Sequence, residues 1–181
     1  MQAMDTALPG VLLLTPRVFA DDRGYFFEGY NARAFTEATG REAAFVQDNQ
    51  SRSVRGVLRG LHYQLRHPQG KLVRVLTGEI FDVVVDLRRS ASTFGRWAGF
   101  RLSAANRQQL WIPEGYAHGF LAVSEEAEVL YKTTDFYAPA DERCVAWNDP
   151  AIGIDWPLTG VPTLSPKDAS APRLAEAETF A

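Results

Sequence analysis

The feature that most constrains this chain is its punctuation. From Phe45 onward, runs of strand length are repeatedly cut by Gly, Pro and Asn: Ala44 to Ser53, Val57 to Gln64, Lys71 to Leu76, Glu79 to Leu87, Arg96 to Leu102, Gln108 to Ile112, His118 to Val123, Glu126 to Thr134 and Cys144 to Trp147. Many strand-length runs, frequent turns and a single helix signal predict an all-β, antiparallel sandwich or barrel. Upstream, Val11 to Phe19 reads as a strand interrupted by Pro16, which favours an edge position. Asp21 to Gly24 is a turn, and Tyr25 to Tyr30 is a second strand. The one clear helix signal lies between Asn31, a good N-cap, and Gly40, placed for a left-handed C-terminal cap. Residues 1–181 read as a single domain, with an irregular C-terminal wrap and frayed tail from about 148.

The charge balance of 19 Lys and Arg against 22 Asp and Glu gives a net charge of -3, and no basic run exceeds a pair. Binding to a nucleic-acid polymer or an anionic membrane is therefore disfavoured, while a few arginines can still serve a small phosphate ligand. One cysteine, Cys144, permits no intrachain disulfide. Apolar stretches such as Val11 to Leu14 are far too short to span a bilayer, and Met1 to Gly10 lacks a signal-type apolar core. The expectation is a soluble, cytoplasmic protein.

Polar chemistry is densest between Gly56 and Val75, GVLRGLHYQLRHPQGKLVRV. Strand alternation groups Gly60, His62 and Gln64 on one face and Arg59, Leu61 and Tyr63 on the other; after the turn, Lys71, Val73 and Val75 share a face. His62 and Lys71 can thus look into one concave space. In Glu79 to Leu87, Asp82 lies between Ile80 and Val84, either as a carboxylate inside a cavity or, slightly favoured, on a solvent-facing side.

The stretch Trp111-Ile-Pro-Glu-Gly-Tyr-Ala-His-Gly-Phe120 resembles the second motif of the cupin superfamily, which implies a double-stranded antiparallel β-helix jelly roll with a few short peripheral helices. Metal-dependent cupins carry a His-x-His pair in the first motif, but here that place reads His62-Tyr63-Gln64, and the chain has only three histidines. Three or four well-placed ligands are needed for a borderline metal, so a catalytic metal is not expected.

Eight ordered blocks point closer: Asp22-Arg-Gly-Tyr-Phe-Phe-Glu28, Gln47-Asp-Asn49, Val57-Leu-Arg-Gly-Leu-His-Tyr-Gln64, Gln69-Gly-Lys-Leu-Val-Arg-Val75, Gly78-Glu-Ile-Phe-Asp82, Tyr131-Lys132, Trp147-Asn-Asp-Pro150 and Leu164-Ser-Pro-Lys-Asp168. Together they resemble the dTDP-4-dehydrorhamnose 3,5-epimerase family from about Gly10 to Pro172. The resemblance implies an isomerase acting on a dTDP-linked 4-keto-6-deoxyhexose, inverting carbons 3 and 5 on either side of the carbonyl with no redox cofactor and no metal. It implies His62 as general base, Asp168 as its orienting carboxylate, Lys71 as the cation beside the developing oxyanion, and Tyr131 as the acid on the opposite face. Arg23 and Arg59 correspond to diphosphate contacts. Glu28, Gln47, Asp48 and Asn49 fall in blocks that hold base and sugar, as do Glu142 and Lys167 in less regular segments. Tyr137 is a candidate stacking platform for thymine, and His118, backed by Asp82, a sugar contact. The family's members are homodimers with crossing N-terminal strands, so Arg23 and Glu28 are expected to serve a neighbour's pocket.

Three other readings compete. A relative inverting only carbon 3 or only carbon 5 would be expected to lack or displace the tyrosine acid. A keto-isomerase fits the His62, Lys71 and Tyr131 set less well. A non-catalytic nucleotide-sugar-binding jelly roll has no need of base, orienter, cation and acid together.

Overall fold

The computed structural model describes residues 1–181. Along the chain run β1 (Gln2–Asp5), β2 (Leu12–Thr15), β3 (Val18–Asp21), β4 (Gly24–Phe27), α1 (Ala32–Thr39), β5 (Gln47–Val54), β6 (Leu58–Gln64), β7 (Lys71–Thr77) and β8 (Glu79–Asp86). They are followed by β9 (Trp97–Ser103), β10 (Gln109–Ile112), β11 (Tyr116–Ala122), β12 (Glu126–Thr133), β13 (Glu142–Cys144) and α2 (Pro166–Ala169). Two antiparallel sheets face each other, ordered β1-β2-β10-β7-β12-β5 and β13-β6-β11-β8-β9, and β3-β4 form a separate two-stranded ribbon. From β5 to β13 consecutive strands pass between the sheets, apart from the β8-β9 hairpin, giving the cupin-like jelly roll. No helix is long and apolar enough to cross a membrane.

The central strands β2, β6, β7, β8, β10 and β11 are buried on both faces because the sandwich is covered on both sides. Between the sheets, Leu13, Val73, Val75, Leu110 and Val129 meet Ile80, Val84, Leu102, Phe120 and Ala122. Outside the six-stranded sheet, Phe35 of α1 packs on Leu12, Leu14, Leu72 and Trp111. Outside the five-stranded sheet, Leu61, Tyr63, Val83, Val85 and Leu121 are covered by Val145, Ile152, Trp156 and Ala177. Burying each such large side chain is worth about 1.5–3 kcal/mol relative to exposure, so the C-terminal wrap is bound as firmly as a third layer.

Helix α1 has the caps its sequence demands: the Asn31 side chain accepts from Ala34 N, and Gly40 is left-handed at φ 67°. Other expectations change. Val11 to Phe19 is two strands, because Pro16 breaks the run and sends β3 into the separate ribbon. The fully exposed β1 carries no apolar alternation to announce it. The ninth run lies at Glu142–Cys144 rather than Cys144 to Trp147, since Val145 and Ala146 turn inward to the core. The C-terminus is docked rather than frayed: Phe180 N donates to Leu87 O, Arg89 N donates to Phe180 O, and the Tyr63 hydroxyl donates to Glu178 O.

Candidate active site

A cavity of about 840 Å³ opens between the sheets. Arg59, His62 and Gln64 of β6 and His118 of β11 form one wall; Gln47 and Asn49 of β5, Lys71 of β7 and Tyr131 of β12 form the other. Tyr137, Glu142, Lys167 and Asp168 complete the rim.

The β6 wall departs from simple alternation. His118 pairs with His62, but Phe120 pairs with Arg59, so β6 spends one more residue than β11 over this interval. That bulge turns Arg59 onto the His62 face, where its Nε donates to Ser53 Oγ at 3.0 Å. The expectation that Arg59 faces away from His62 is therefore corrected. Glycine is required at the bulge: Gly60 has φ +122°, and a Cβ there would lie 2.5 Å from Gly119 Cα.

His62 Nε2 lies 2.5 Å from Asp168 Oδ1. Asp168 comes from the C-terminal wrap and is held at the start of α2, where Ser165 caps the helix by accepting from Asp168 N at 3.1 Å and Pro166 occupies the first turn. Burial alone would raise the Asp168 pKa, but hydrogen bonds from His62 and Ser165 and the charge of Lys167 leave it below the usual carboxylate value. An ionised Asp168 makes Nε2 the donor, and the imidazole lone pair then sits on Nδ1.

Lys71 is only 7% exposed, and its Nζ donates to the carbonyl of His62 at 3.2 Å. Desolvation lowers its pKa from 10.5 to about 8, against the opposing pull of Asp82 and Glu142. Asp82 itself is fully buried, so the solvent-facing reading is overturned; Oδ2 lies 2.8 Å from His118 Nε2, and Oδ1 has no partner. Tyr131 faces inward on β12 beside Val129, and burial raises its pKa. Glu142 accepts from the Tyr137 hydroxyl at 3.0 Å and from Lys167 Nζ at 2.7 Å.

Three expected residues lie elsewhere in this chain. Asp48 points outward because its neighbours Gln47 and Asn49 point in, and it pairs with Lys132 at 2.9 Å across the strand. Arg23 is on the exposed β3–β4 turn, paired with Asp21 at 2.6 Å. Glu28 accepts from Asn31 Nδ2 at 2.9 Å ahead of α1. Ser51, Gln69 and Ser165 also line the cavity, as does Gln64, which alternation groups with His62. Ser165-Pro166 carries a helix-start signature that would have found α2. No group of three or more His, Cys, Asp or Glu is arranged to hold a metal ion.

The dTDP-4-dehydrorhamnose 3,5-epimerase family model matches residues 5–176. The chain is 62% identical over 180 residues to the dTDP-4-dehydrorhamnose 3,5-epimerase of Pseudomonas aeruginosa, covering 99% of both chains. It is 56% identical over 178 residues to the enzyme of that name from Salmonella typhimurium, covering 98% of this chain and 97% of the relative. Among solved structures, the 3,5-epimerase of Legionella pneumophila in complex with dTDP-4-keto-L-rhamnose superposes with a TM-score of 0.94 at 47% identity, over 97% of this chain and 93% of that one. A full-length match in sequence and in backbone, around a cavity that carries the family's blocks on both walls, leaves one assignment: the chain belongs to the dTDP-4-dehydrorhamnose 3,5-epimerase family.

Proposed function

We propose that the protein is a cofactor-independent epimerase that inverts C3 and C5 of dTDP-4-dehydro-6-deoxy-D-glucose, giving dTDP-4-dehydro-L-rhamnose. The observation that carries this reading is the division of labour between the sheets. The His62–Asp168 pair stands on one wall, and Lys71 and Tyr131 stand on the other.

Hydrogens at C3 and C5 are acidic because each flanks the C4 carbonyl. Nδ1 of His62 takes the proton while Asp168 stabilises the imidazolium through Nε2, a role typically worth 10²–10⁴ in rate for a general base. The electron pair moves onto the carbonyl oxygen, where the Lys71 ammonium offsets the enolate charge; losing one such preorganised donor costs about 3–4 kcal/mol. Tyr131 then delivers its hydroxyl proton to the carbon from the opposite wall, inverting it. Exchange with solvent returns a proton to the phenolate and removes one from His62, so the cycle balances without redox change.

For the rest of the substrate, Arg59 takes the diphosphate, Gln47 and Asn49 the nucleoside, Tyr137 the thymine face, and Glu142 with Lys167 the rim, while His118 contacts the sugar. The active form is a homodimer. Phe19, Tyr25 and Phe26 are exposed on the β3–β4 ribbon, and β5, which carries Gln47 and Asn49, is an open edge of the six-stranded sheet. An uncovered apolar ribbon and a free edge beside the cavity support exchange of ribbons between protomers, which would bring Arg23 and Glu28 to the partner's site. A cytoplasmic location accompanies this reading, as the single Cys144 needs no oxidising compartment.

The test is incubation of chelator-treated protein with dTDP-4-keto-6-deoxyglucose in deuterium oxide, following C3 and C5 by NMR. Deuterium at both carbons with inversion, lost in His62→Ala, is expected. Deuterium at one carbon only makes it a mono-epimerase; none at either, with binding intact, leaves a non-catalytic binder.

A further inference from the structure

Residues 135–138, which bring Tyr137 to the cavity, hang from three glutamine side chains. Gln69 Nε2 donates to Asp135 O at 2.8 Å, and Gln64 Nε2 donates to Phe136 O at 3.2 Å. Gln47 Oε1 accepts from Tyr137 N at 3.0 Å, and Gln64 Oε1 accepts from Ala138 N at 2.8 Å. The second Nε2 hydrogen of Gln64 goes to His67 O at 2.6 Å, tying the same amide to the turn after β6.

Gln64 is 4% exposed, and both of its donors and its acceptor are in use. Only a neutral primary amide answers two carbonyls and one N–H in this arrangement. A glutamate would set a carboxylate against the carbonyls of His67 and Phe136, and a lysine or arginine has no acceptor for Ala138 N. Gln64 is also two residues from His62 on the same strand, so one short stretch of β6 carries the base and also spaces the Tyr137 segment from it.

We infer that Gln64 is a positioning residue that sets Tyr137 for the nucleotide end of the substrate, acting on binding and not on proton transfer. The inference rests on the assignment of Tyr137 to the thymine face. It separates two functions that share one strand: His62 touches the reacting carbons, and Gln64 acts only through the segment it suspends.

The test titrates dTDP calorimetrically into the wild type, Gln64→Met, Tyr137→Ala and the double variant. Each single variant is expected to bind dTDP at least about tenfold more weakly, equivalent to about 1.4 kcal/mol, and the double variant no more weakly than Tyr137→Ala alone. KM for the keto sugar should rise with the dTDP Kd in Gln64→Met, while kcat for deuterium wash-in stays within about threefold of wild type, as expected for lost uniform binding. Hydrogen exchange gives a readout independent of activity: the Tyr137 amide, which Gln47 still holds, should exchange faster in Gln64→Met and Gln64→Glu, with the sheets unaffected. Additive losses in the double variant, a fall in kcat at unchanged KM, or an unchanged Tyr137 amide would overturn the inference. If Tyr137→Ala binds dTDP as well as wild type, the thymine assignment is what fails; if it binds weakly and Gln64→Met does not, the positioning role alone fails.

Discussion

His62 and His118 are cross-strand partners on β6 and β11, and each sets its Nε2 against a carboxylate from a different part of the chain. Their surroundings separate them. The His62 side chain is 28% exposed at the cavity and meets Asp168 from the C-terminal wrap, whereas that of His118 is 8% exposed and meets Asp82 from the adjacent strand. Two similar side-chain pairs thus sit side by side, one open to the cavity and the other enclosed.

On the proposed mechanism, His62→Ala should abolish solvent exchange at both carbons. Asp168→Asn should lower kcat by about 10²–10⁴, because the amide no longer holds the proton on Nε2 or stabilises the imidazolium. Wash-in of deuterium at saturating substrate measures both effects. A purely structural Asp168 would instead lower thermal stability and leave kcat of the folded fraction intact.

Lys71 predicts a linked pair of pH effects. Its folded pKa of about 8 lies below the ordinary 10.5, so the unfolded chain holds the proton more tightly. Between these values the unfolded state binds more protons than the native state, and stability rises with pH by about 1.4 kcal/mol per unit. Urea unfolding should therefore show the wild type gaining about 3 kcal/mol relative to Lys71→Met from pH 8 toward 10.5. Activity should move oppositely, falling as pH climbs through about 8 and the ammonium beside the enolate is lost. Above pH 10 the buried Tyr63 and Tyr116, both raised to about 12, favour the folded state less as the unfolded tyrosines ionise, but equally in both proteins.

Tyr131→Phe separates abstraction from inversion. With the base intact and the opposite-wall acid gone, His62 can return a solvent-exchanged proton to the face it came from. The expected NMR result is deuterium at the exchanging carbons with retained configuration, and L-rhamno product reduced by about 10²-fold or more. Loss of exchange and inversion in equal measure would show that Tyr131 also acts during enolisation.

Gly60→Ala would place a methyl against Gly119 Cα and His118 O at 2.5 and 2.8 Å, on backbone that side chains rarely adopt. Neither contact is the end of a flexible side chain, so β6 must shift against β11. A stability loss of about 2–4 kcal/mol is expected from strain of this kind, with a raised KM as Arg59 swings from its position. Chemical denaturation and steady-state kinetics on the same preparation check both.

The ribbon exchange can be read by complementation. If Arg23 serves the partner's site, mixing unfolded Arg23→Ala with unfolded His62→Ala and refolding them together gives heterodimers with one intact site. Recovery should approach about a quarter of wild-type activity for random pairing of a two-fold dimer. If each Arg23 serves its own chain, the mixture stays as inactive as its components.

What could be read in the residues follows the range of the physics. Alternation groups His62 with Gln64 on β6, and Lys71 with Val73 and Val75 on β7, because period two is local. Asn31 and Gly40 marked the helix ends because caps are local too. Alternation misplaces Arg59 because a bulge is a disagreement between strands distant in sequence, and it does not bury Asp82 because it says which residues share a face, not whether that face meets water. The same rule, applied to Gln47-Asp-Asn49, would have turned Asp48 outward. Four residues of α2 are too few to show a helical period, and the suspension of residues 135–138 from glutamines leaves no periodic trace.

The close approach of β6 and β11 restricts how such a protein can diverge. Gly60 and Gly119 each occupy the space the other's Cβ would need: a Cβ on Gly119 would lie 2.6 Å from Arg59 O and 3.1 Å from Gly60 Cα. A substitution at either position is blocked by main chain, so no change of side chain at the other can make room for it. Variation in a lineage is therefore expected away from this crossing, for example in residues 135–138, which side chains suspend and which can change while β6 and β11 stay in place.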